Sequence, residues 1–219
     1  RIYDLSERPI LLRKKGSLMT TLLRIDSSSR HDGSWSRRIG DAVAAKLAPT
    51  TTLTRDLVEK PVPHIAVETI GAFFSDPPAY GDAEKAATAV SDDLLAEIAA
   101  ADDILITVPM YNFGIPSALK AWVDQVVRIG RTFSFDGQSF TGLVTGKRAF
   151  IVIAYGAGGY DADFKVADFV EPYLVFVLNF LGITDVTVIP VEGTNTGGGE
   201  ASEAAATAII DAIKSRVAA

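Results

Sequence analysis

The chain has 219 residues, of which 48% are hydrophobic, and a formal net charge of −6. It contains no cysteine, which excludes disulfide bonds, cysteine-ligated zinc, iron–sulfur clusters and thiol catalysis, and which fits a cytoplasmic protein. Because the sequence has no basic patch interleaved with aromatic residues, and no segment with the roughly 20 apolar residues of a membrane span, neither nucleic acid nor a membrane is expected as a partner.

The first 18 residues are expected to lie outside the folded domain. They lack the basic start, apolar centre and small-residue cleavage site of a signal peptide, and Met19 directly precedes the first strand-like segment. We therefore expect residues 1–18 to be an extension, either native or added in cloning. Residues 19–219 are expected to form one domain, which is the ordinary organisation for a chain of this length.

The first predicted strand, Thr20–Ile25, runs into a loop that is rich in hydroxyl groups, DSSSRHDGSWS. A helix is expected to begin near Ser34 or Ser36, because both are favourable N-caps and apolar residues then recur at helical spacing. Serine hydroxyls, backbone N–H groups and the helix dipole all favour negative charge at such a point. The loop has neither a Walker motif nor Gly-x-Gly-x-x-Gly, so it predicts either an anion site or simply a capped turn.

The second strand is predicted at Thr50–Leu57. After it, Ile65–Tyr80 carries Phe73 and Phe74 near a Pro-Pro turn, which indicates a short helix and a loop that either line a pocket or form a flap of the core. Ala83–Ala101 has apolar residues at helical spacing and acidic residues elsewhere, which predicts a helix.

The most informative stretch begins with a third strand, Ile104–Val108, whose continuous apolar run is typical of a strand buried on both faces of a parallel sheet. The loop MYNFGIP follows, and apolar residues at helical spacing then predict a helix over Ser117–Arg128. Pro116 is placed where the first turn of a helix tolerates proline. Since open α/β sheets bind ligands at the carboxyl ends of their strands, this loop is the first candidate for a functional site.

The remaining elements continue the alternation. Arg131–Gly142 has aromatic residues around a Gly turn, which predicts an excursion or a hairpin. A fourth strand ends in a second glycine-rich loop, GAGGYDAD, whose glycines let the backbone approach a ligand closely. The other predicted elements are the strand Arg148–Tyr155, the helix Phe164–Leu181, the strand Ile183–Pro190 and the final helix Ala201–Val217.

This alternation predicts an α/β fold with a doubly wound, five-stranded parallel sheet and helices on both faces. The loops after the first, third and fourth strands would then offer an anion cradle, aromatic and amide groups, and glycine backbone. They suit a ligand with a phosphate, a flat ring and one edge that needs backbone donors, as FMN has. In a flavodoxin-like sheet of strand order 2-1-3-4-5, FMN binds where the order reverses, between strands 1 and 3.

The segment PMYNFGIPSALKAWVDQVVRIGRTF resembles the signature of the FMN-dependent NADH:quinone oxidoreductases, also called FMN-dependent azoreductases. The loop DSSSRHDGSWS is similar to the phosphate loop of that family, and GLVTGKRAFIVIA and FLGITDVTVIPVEG are similar to its fourth and fifth strand segments. The resemblance implies a flavodoxin-like fold, one FMN per subunit, and a homodimer with active sites at the subunit interface. It also implies ping-pong hydride transfer from NADH or NADPH through flavin N5 to quinones or aromatic azo compounds.

The same resemblance implies the cofactor site residue by residue. The phosphate is expected at Ser28, Ser34, Trp35 and Ser36, the flavin ring at Pro109, Met110, Tyr111, Asn112 and Phe113, and the pyrimidine edge at backbone groups of Tyr155, Gly156, Ala157, Gly158 and Gly159. After the fourth strand, members of the family frequently have Ser-Arg-Gly-Gly, which this chain lacks. The chain also has Gly114 where relatives commonly have a larger residue. The choice between NADH and NADPH stays open.

No catalytic side chain and no metal are expected, because the flavin carries the chemistry and backbone N–H groups can stabilise the negative charge that reduction places near N1 and O2. Protons for a quinone are expected from water or from Tyr155. Phe113, Phe133, Phe73 and Phe74 are expected either to form an aromatic slot for flat acceptors or to belong to the ordinary core.

Two other functions remain open. A flavodoxin that carries single electrons is expected to have a tighter phosphate loop and a strongly acidic face, whereas the loop here is longer and the net charge is modest. A flavin-free binding or regulatory module would share the same fold without the cofactor. Without the resemblance, the pattern supports only a nucleotide-type ligand on a doubly wound sheet.

Overall fold

The computed structural model describes residues 19–75 and 79–216. These residues form a five-stranded parallel sheet, a separate two-stranded hairpin and helices that pack on both faces of the sheet. The strands are β1 Thr21–Asp26, β2 Thr51–Asp56, β3 Asp103–Pro109, β4 Phe133–Phe135, β5 Phe140–Gly142, β6 Arg148–Ala154 and β7 Asp185–Val191. The helices are α1 Trp35–Leu47, α2 Val67–Phe73, α3 Asp82–Ala100, α4 Ser117–Val126, α5 Glu171–Leu181 and α6 Gly199–Ala212.

The large sheet has the strand order β2-β1-β3-β6-β7, and all its neighbouring pairs are parallel. The predicted fourth and fifth strands are β6 and β7, because β4 and β5 form an antiparallel hairpin between β3 and β6 in the chain. With that renumbering the predicted flavodoxin-like topology is confirmed. The register places Asp26 beside Thr107 and Pro109 beside Ala154, so the loops after β1, β3 and β6 leave from one edge.

β3 is the centre of the core because both of its faces are covered. Every residue of this strand except the last is buried. Ile104 and Ile106 pack with residues of α3, α4 and α5, whereas Leu105 packs with residues of α1 and α6, as the alternation of side chains along a strand requires. α1 approaches β3 so closely that a Cβ added at Gly40 would lie 2.5 Å from Thr107 Cγ2. This contact helps to set where α1 begins above the sheet edge.

The predicted helix over Phe164–Leu181 is too long. Only α5, from Glu171, is α-helical, and a 3-10 turn at Lys165–Ala167 precedes it. The carboxylate of Asp168 accepts the N–H groups of the N-cap residue Val170 at 2.8 Å and of Glu171 at 3.1 Å, so it satisfies two backbone donors at the start of α5. The prediction rested on the apolar composition of the segment, which gives no indication of these hydrogen bonds.

The other boundaries agree more closely. The segment that was expected to be either an excursion or a hairpin forms the hairpin of β4 and β5, and the predicted final helix is α6, which ends at Ala212. The extension at residues 1–18, the Pro-Pro turn at residues 76–78 and Val217 lie outside the described residues. In the part of the chain that the structure describes, no helix is long and apolar enough to cross a membrane.

Candidate functional site

A cleft of about 290 Å³ lies at the carboxyl edge of the sheet, where the strand order reverses. The loops after β1, β3, β6 and β7 contribute to its walls. The lining residues are Ser28, Ser29, Arg30, Gly33, Ser34, Trp35, Ser36, Pro109, Met110, Tyr111, Ala154, Gly156, Thr194 and Asn195. Apart from the arginine, these residues offer hydroxyl, amide, aromatic and backbone groups rather than charges.

The serine loop after β1 forms one wall of the cleft and presents hydrogen-bond donors. Ser34 is the N-cap of α1, where its hydroxyl accepts the N–H of Arg37 at 3.5 Å and lies 3.4 Å from the hydroxyl of Ser36. The N–H groups of Trp35 and Ser36 have no acceptor among the described residues, as is usual at a helix start. Together with the positive end of the helix dipole, these donors favour an anion at this point.

The ring of Trp35 is packed against two neighbouring residues. The guanidinium carbon of Arg38 lies 3.9 Å from the ring centroid, which covers one side of the indole. The first residue of α6, Gly199, lies so close that an added Cβ would approach the ring to 2.5 Å. The backbone N–H of Trp35, which has no acceptor among the described residues, is available to an anion.

A buried charge network lies beneath the serine loop. Arg37 donates to the carbonyl of Ser28 at 2.9 Å and to the carboxylate of Asp56 at 2.6 Å, and it lies 3.3 Å from Asp26. Burial opposes the ionisation of Asp56, but the hydrogen bonds from Arg37 and from two backbone N–H groups outweigh burial and lower the pKa of Asp56. Asp56 is therefore ionised at neutral pH.

The loop after β3 is a two-residue turn held by paired backbone hydrogen bonds. The N–H of Tyr111 donates to the carbonyl of Gly114 at 3.0 Å, and the reverse bond measures 3.1 Å. At the tip, Asn112 and Phe113 have φ angles of 49° and 71°, in the left-handed region that asparagine tolerates and phenylalanine rarely adopts. Both tip side chains are exposed and lie outside the cleft lining, whereas Met110 and Tyr111 line the cleft.

Tyr111 also connects its loop to the serine loop. Its hydroxyl lies 2.7 Å from the hydroxyl of Ser29 and accepts the N–H of Ser29 at 3.2 Å. Burial acts to raise the pKa of Tyr111, but hydrogen bonds with Ser29 and Ser28 outweigh it and lower that pKa. The loops after β1 and β3 therefore contact each other beside the cleft.

The glycine-rich loop after β6 presents N–H donors, while several of its carbonyls are bonded to other backbone groups. The loop after β7 donates three backbone N–H groups to it, from Gly193 to Ala157 at 3.0 Å, from Thr194 to Tyr155 at 3.1 Å and from Asn195 to Gly156 at 2.9 Å. The N–H of Gly159 donates to Glu192 Oε2 at 2.6 Å. No described residue accepts from the N–H groups of residues 156–158, so this loop carries three consecutive unpaired donors.

Tyr155 differs from its prediction. Its side chain is 1% exposed, its N–H donates to Val191 at 2.8 Å and its carbonyl accepts from Thr194. Burial raises the pKa of its hydroxyl, and donation to Asp168 raises it further. Tyr155 therefore has no free backbone N–H for a cofactor edge, and its hydroxyl is bonded inside the protein rather than open to a substrate.

The cleft thus unites part of each predicted group. The predicted residues in the lining are Ser28, Ser34, Trp35, Ser36, Pro109, Met110, Tyr111 and Gly156. The predicted residues outside the lining are Asn112, Phe113, Tyr155, Ala157, Gly158 and Gly159.

The loop after β7 is the main feature that sequence reasoning missed. Thr194 and Asn195 line the cleft, and a Cβ added at Gly156 would come within 2.7 Å of Asn195 Nδ2. Their position directly after the last strand was the available signal, since the carboxyl ends of parallel strands share one edge. The other missed lining residues are Ser29, Arg30, Gly33 and Ala154.

The structure does not bring the predicted aromatic slot together. Phe73 is 8% exposed and lies beneath Arg128, whose guanidinium carbon is 4.7 Å from the ring centroid. Phe133 packs against Phe180, with the ring centroids 4.8 Å apart, and Phe74 is exposed. These phenylalanines are absent from the cleft lining because α2 packs on α3 and the hairpin packs on α5, away from the cleft.

Comparison with known sequences gives a consistent result. The model of a family described as having a flavodoxin-like fold matches residues 20–217. An FMN-dependent NADH:quinone oxidoreductase of Xanthobacter autotrophicus is 52% identical over 176 residues, which is 78% of this chain and 85% of the relative. A protein of the same name from Azotobacter vinelandii is 41% identical over 184 residues, which is 82% of this chain and 91% of that relative.

Comparison with solved structures supports the fold. An FMN-dependent NADH-azoreductase from Bacillus anthracis, solved in complex with FMN, superposes with a TM-score of 0.76 at 23% identity. The superposition covers 89% of this chain and 97% of that chain. At this identity the likeness shows the shared fold alone.

Proposed function

Since the chain belongs to the family of FMN-dependent NADH:quinone oxidoreductases, we propose that it uses bound FMN to pass two electrons from NADH or NADPH to quinones and aromatic azo compounds in a ping-pong cycle. One observation carries this proposal. The serine loop at the start of α1 and a loop of unpaired N–H donors lie at the same sheet edge, with aromatic and apolar surface of the β3 loop beside them.

The residues present fit FMN. The hydroxyls of Ser28, Ser34 and Ser36 and the free N–H groups at the start of α1 would hold the phosphate. Pro109, Met110 and Tyr111 would lie along the ring, with Asn112 and Phe113 at the rim. The unpaired N–H groups of residues 156–158 would meet the pyrimidine edge, which carries hydrogen-bond acceptors.

Bound FMN would supply the redox chemistry, by accepting a hydride at N5 and passing two electrons to the acceptor. The protein would contribute position and electrostatics. The three free N–H groups of the glycine-rich loop would stabilise the negative charge that reduction places on the pyrimidine edge, as an oxyanion hole does. The cleft lining contains no histidine and no carboxylate, so no side chain is assigned as a catalytic acid or base.

We also propose a homodimer that joins through the exposed face of α5. Phe176 on this face is 67% exposed, Phe169 just before α5 is 63% exposed, and Phe140 of the hairpin is 59% exposed. Large exposed apolar patches mark interaction sites. The N–H of Phe169 donates to the carbonyl of Phe113 at 3.1 Å, so the face reaches the rim of the cleft and a second copy would stand beside the site. A cytoplasmic location is part of the proposal and is supported by the absence of cysteine.

The test is a spectrum followed by a reaction. Purified protein is expected to carry the absorbance of oxidised flavin, to lose it on addition of NADH without oxygen, and to regain it on addition of a quinone. If the protein retains flavin but neither NADH nor NADPH reduces it, the proposed enzymatic activity is wrong and only the flavin-binding fold remains supported. Protein that takes up no added FMN would instead support a flavin-free module, and reduction in separate single-electron steps would support a flavodoxin-type carrier.

A further inference from the structure

Arg37 occupies an unusual position for an arginine at the start of a helix. Its side chain is only 12% exposed and points beneath the serine loop rather than into solvent. There it donates to Asp56 at 2.6 Å and to the carbonyl of Ser28 at 2.9 Å. Its Nη1 lies 3.3 Å from Asp26, which also accepts from Arg24 at 3.0 Å. The carboxylates at the ends of β1 and β2 therefore hold Arg37 in place, and Arg37 holds the loop.

The hydrogen bond to Ser28 decides how the next peptide group is turned. A trans peptide is planar, so the carbonyl of Ser28 and the N–H of Ser29 point in opposite directions. With the carbonyl held by Arg37, the N–H of Ser29 turns the other way and donates to the hydroxyl of Tyr111 at 3.2 Å. The negative end of this peptide is therefore directed away from the side on which the donors of the loop are presented.

We propose that Arg37 is a positioning residue that makes the cleft prefer FMN over riboflavin, which is the same flavin without its phosphate. The preference rests on the proposed function. Arg37 keeps a carbonyl oxygen turned away from the phosphate, and its fixed positive charge lies directly beneath the loop. Both effects act directly at the phosphate end of the cleft, whereas the ring is reached only indirectly, through the bond from Ser29 to Tyr111, so FMN binding depends on Arg37 more strongly than riboflavin binding does.

The experiment measures the affinity of the apoprotein for FMN and for riboflavin by the quenching of flavin fluorescence. Arg37→Lys keeps the positive charge but loses the planar fork that reaches Ser28 and Asp56 together. The double variant Arg37→Gln with Asp56→Asn removes one charge of each sign, so the net charge of the chain stays the same. It also avoids leaving Asp56 buried and unpaired, which would be strongly destabilising. Thermal unfolding of each variant establishes that it is folded.

Arg38→Gln is the matched control. Arg38 is the next residue of α1, its side chain is 52% exposed, and its ion pair with Glu203 lies on the surface. It makes no hydrogen bond to the serine loop, and its contact with Trp35 is with the ring and not with the backbone N–H. This substitution removes a full charge near the same helix start. It therefore measures the effect of charge without the loss of the hydrogen bonds that Arg37 makes to Ser28 and Asp56.

Both variants of Arg37 are expected to weaken FMN binding about tenfold or more relative to riboflavin binding, because a charge-assisted hydrogen bond is lost at the loop. Arg38→Gln is expected to leave the ratio of the two affinities unchanged. Equal losses for both flavins, a full FMN preference in Arg37→Lys, or the same loss in Arg38→Gln would each overturn the inference. If the unaltered protein binds FMN and the Arg37 variants bind it equally well, the inference alone fails. If the unaltered protein binds neither flavin, the proposed function fails with it.

Discussion

The hydroxyl of Tyr155 donates a 2.9 Å hydrogen bond to Asp168 and so joins the base of the glycine-rich loop to the first turn of α5. Asp168 uses its other oxygen to accept the N–H groups of Val170 and Glu171. The ring of Tyr155 stacks on Tyr160 at a centroid distance of 4.6 Å. This arrangement makes Tyr155 a structural residue beneath the glycine-rich loop.

Replacement of Tyr155 by phenylalanine tests that conclusion. Turnover with a quinone is expected to stay unchanged, whereas the loss of a proton relay would cost about a hundredfold or more. The free energy of unfolding is expected to fall by about 1 kcal/mol, because one buried hydrogen bond is lost and Asp168 keeps its backbone donors. Steady-state kinetics and urea unfolding measure the two effects. A large fall in turnover at full FMN occupancy would contradict the structural role and show that the Tyr155 hydroxyl relays protons.

Asp56 gives a prediction about pH. Its pKa is lowered in the folded protein, so its contribution to stability is present above its unfolded value, for which 3.8 is the reference, and is lost as the pH falls through the lower folded value. Asp56→Asn is therefore expected to be less stable than the unaltered protein at pH 7, with a difference that shrinks below about pH 4. Urea unfolding across this range measures it.

The control for that experiment must separate the two basic side chains that lie near the carboxylate of Asp56. Arg37 pairs with it, and His31 Nδ1 lies 4.0 Å from its carboxylate, so a charge on His31 would also favour the ionised form. The comparison is repeated with His31→Gln in both proteins, which leaves Arg37 as the charged partner. A stability difference that stays constant down to pH 3 would contradict the assignment to Asp56.

Gly156→Ala tests the contact between the glycine-rich loop and the loop after β7. The added Cβ would lie 2.7 Å from Asn195 Nδ2, so the amide must move from its place in the cleft wall. The affinity for FMN is expected to fall about threefold to tenfold, as for the loss of one neutral hydrogen bond. In an Asn195→Ala background the same change is expected to cost nothing further. Equal losses in both backgrounds would show that the two residues are not coupled.

The proposed dimer face gives a prediction with a closely matched control. Phe176 on α5 and Phe74 after α2 are both 67% exposed, but only Phe176 lies on the proposed interface. Phe176→Glu is expected to produce a monomer in sedimentation velocity, because it places a charge in an apolar contact, whereas Phe74→Glu is expected to leave a dimer. A dimer in both variants would show that the interface lies elsewhere. A monomer in the unaltered protein would contradict the proposed homodimer.

Hydrophobic periodicity predicted most of the fold. The continuous apolar run of β3 and the helical spacing after Ser117 depend on local sequence alone, because a buried strand and an amphipathic helix each need a fixed repeat. The helix predicted from Phe164 was wrong because an apolar composition does not reveal a cap. Asp168 ends the preceding turn through its own hydrogen bonds, and these are visible only in the structure.

The sequence by itself determined the alternation of strands and helices, because each element depends on a repeat among neighbours in the chain, and the resemblance to a known family supplied the strand order. Only the tertiary structure decided which side chains share the cleft. Thr194 and Asn195 enter it because β7 pairs with β6, whereas Tyr155 turns into the core and Phe133 packs on α5. The physical reason is that side-chain surroundings depend on contacts between segments far apart in the chain, which no local repeat encodes.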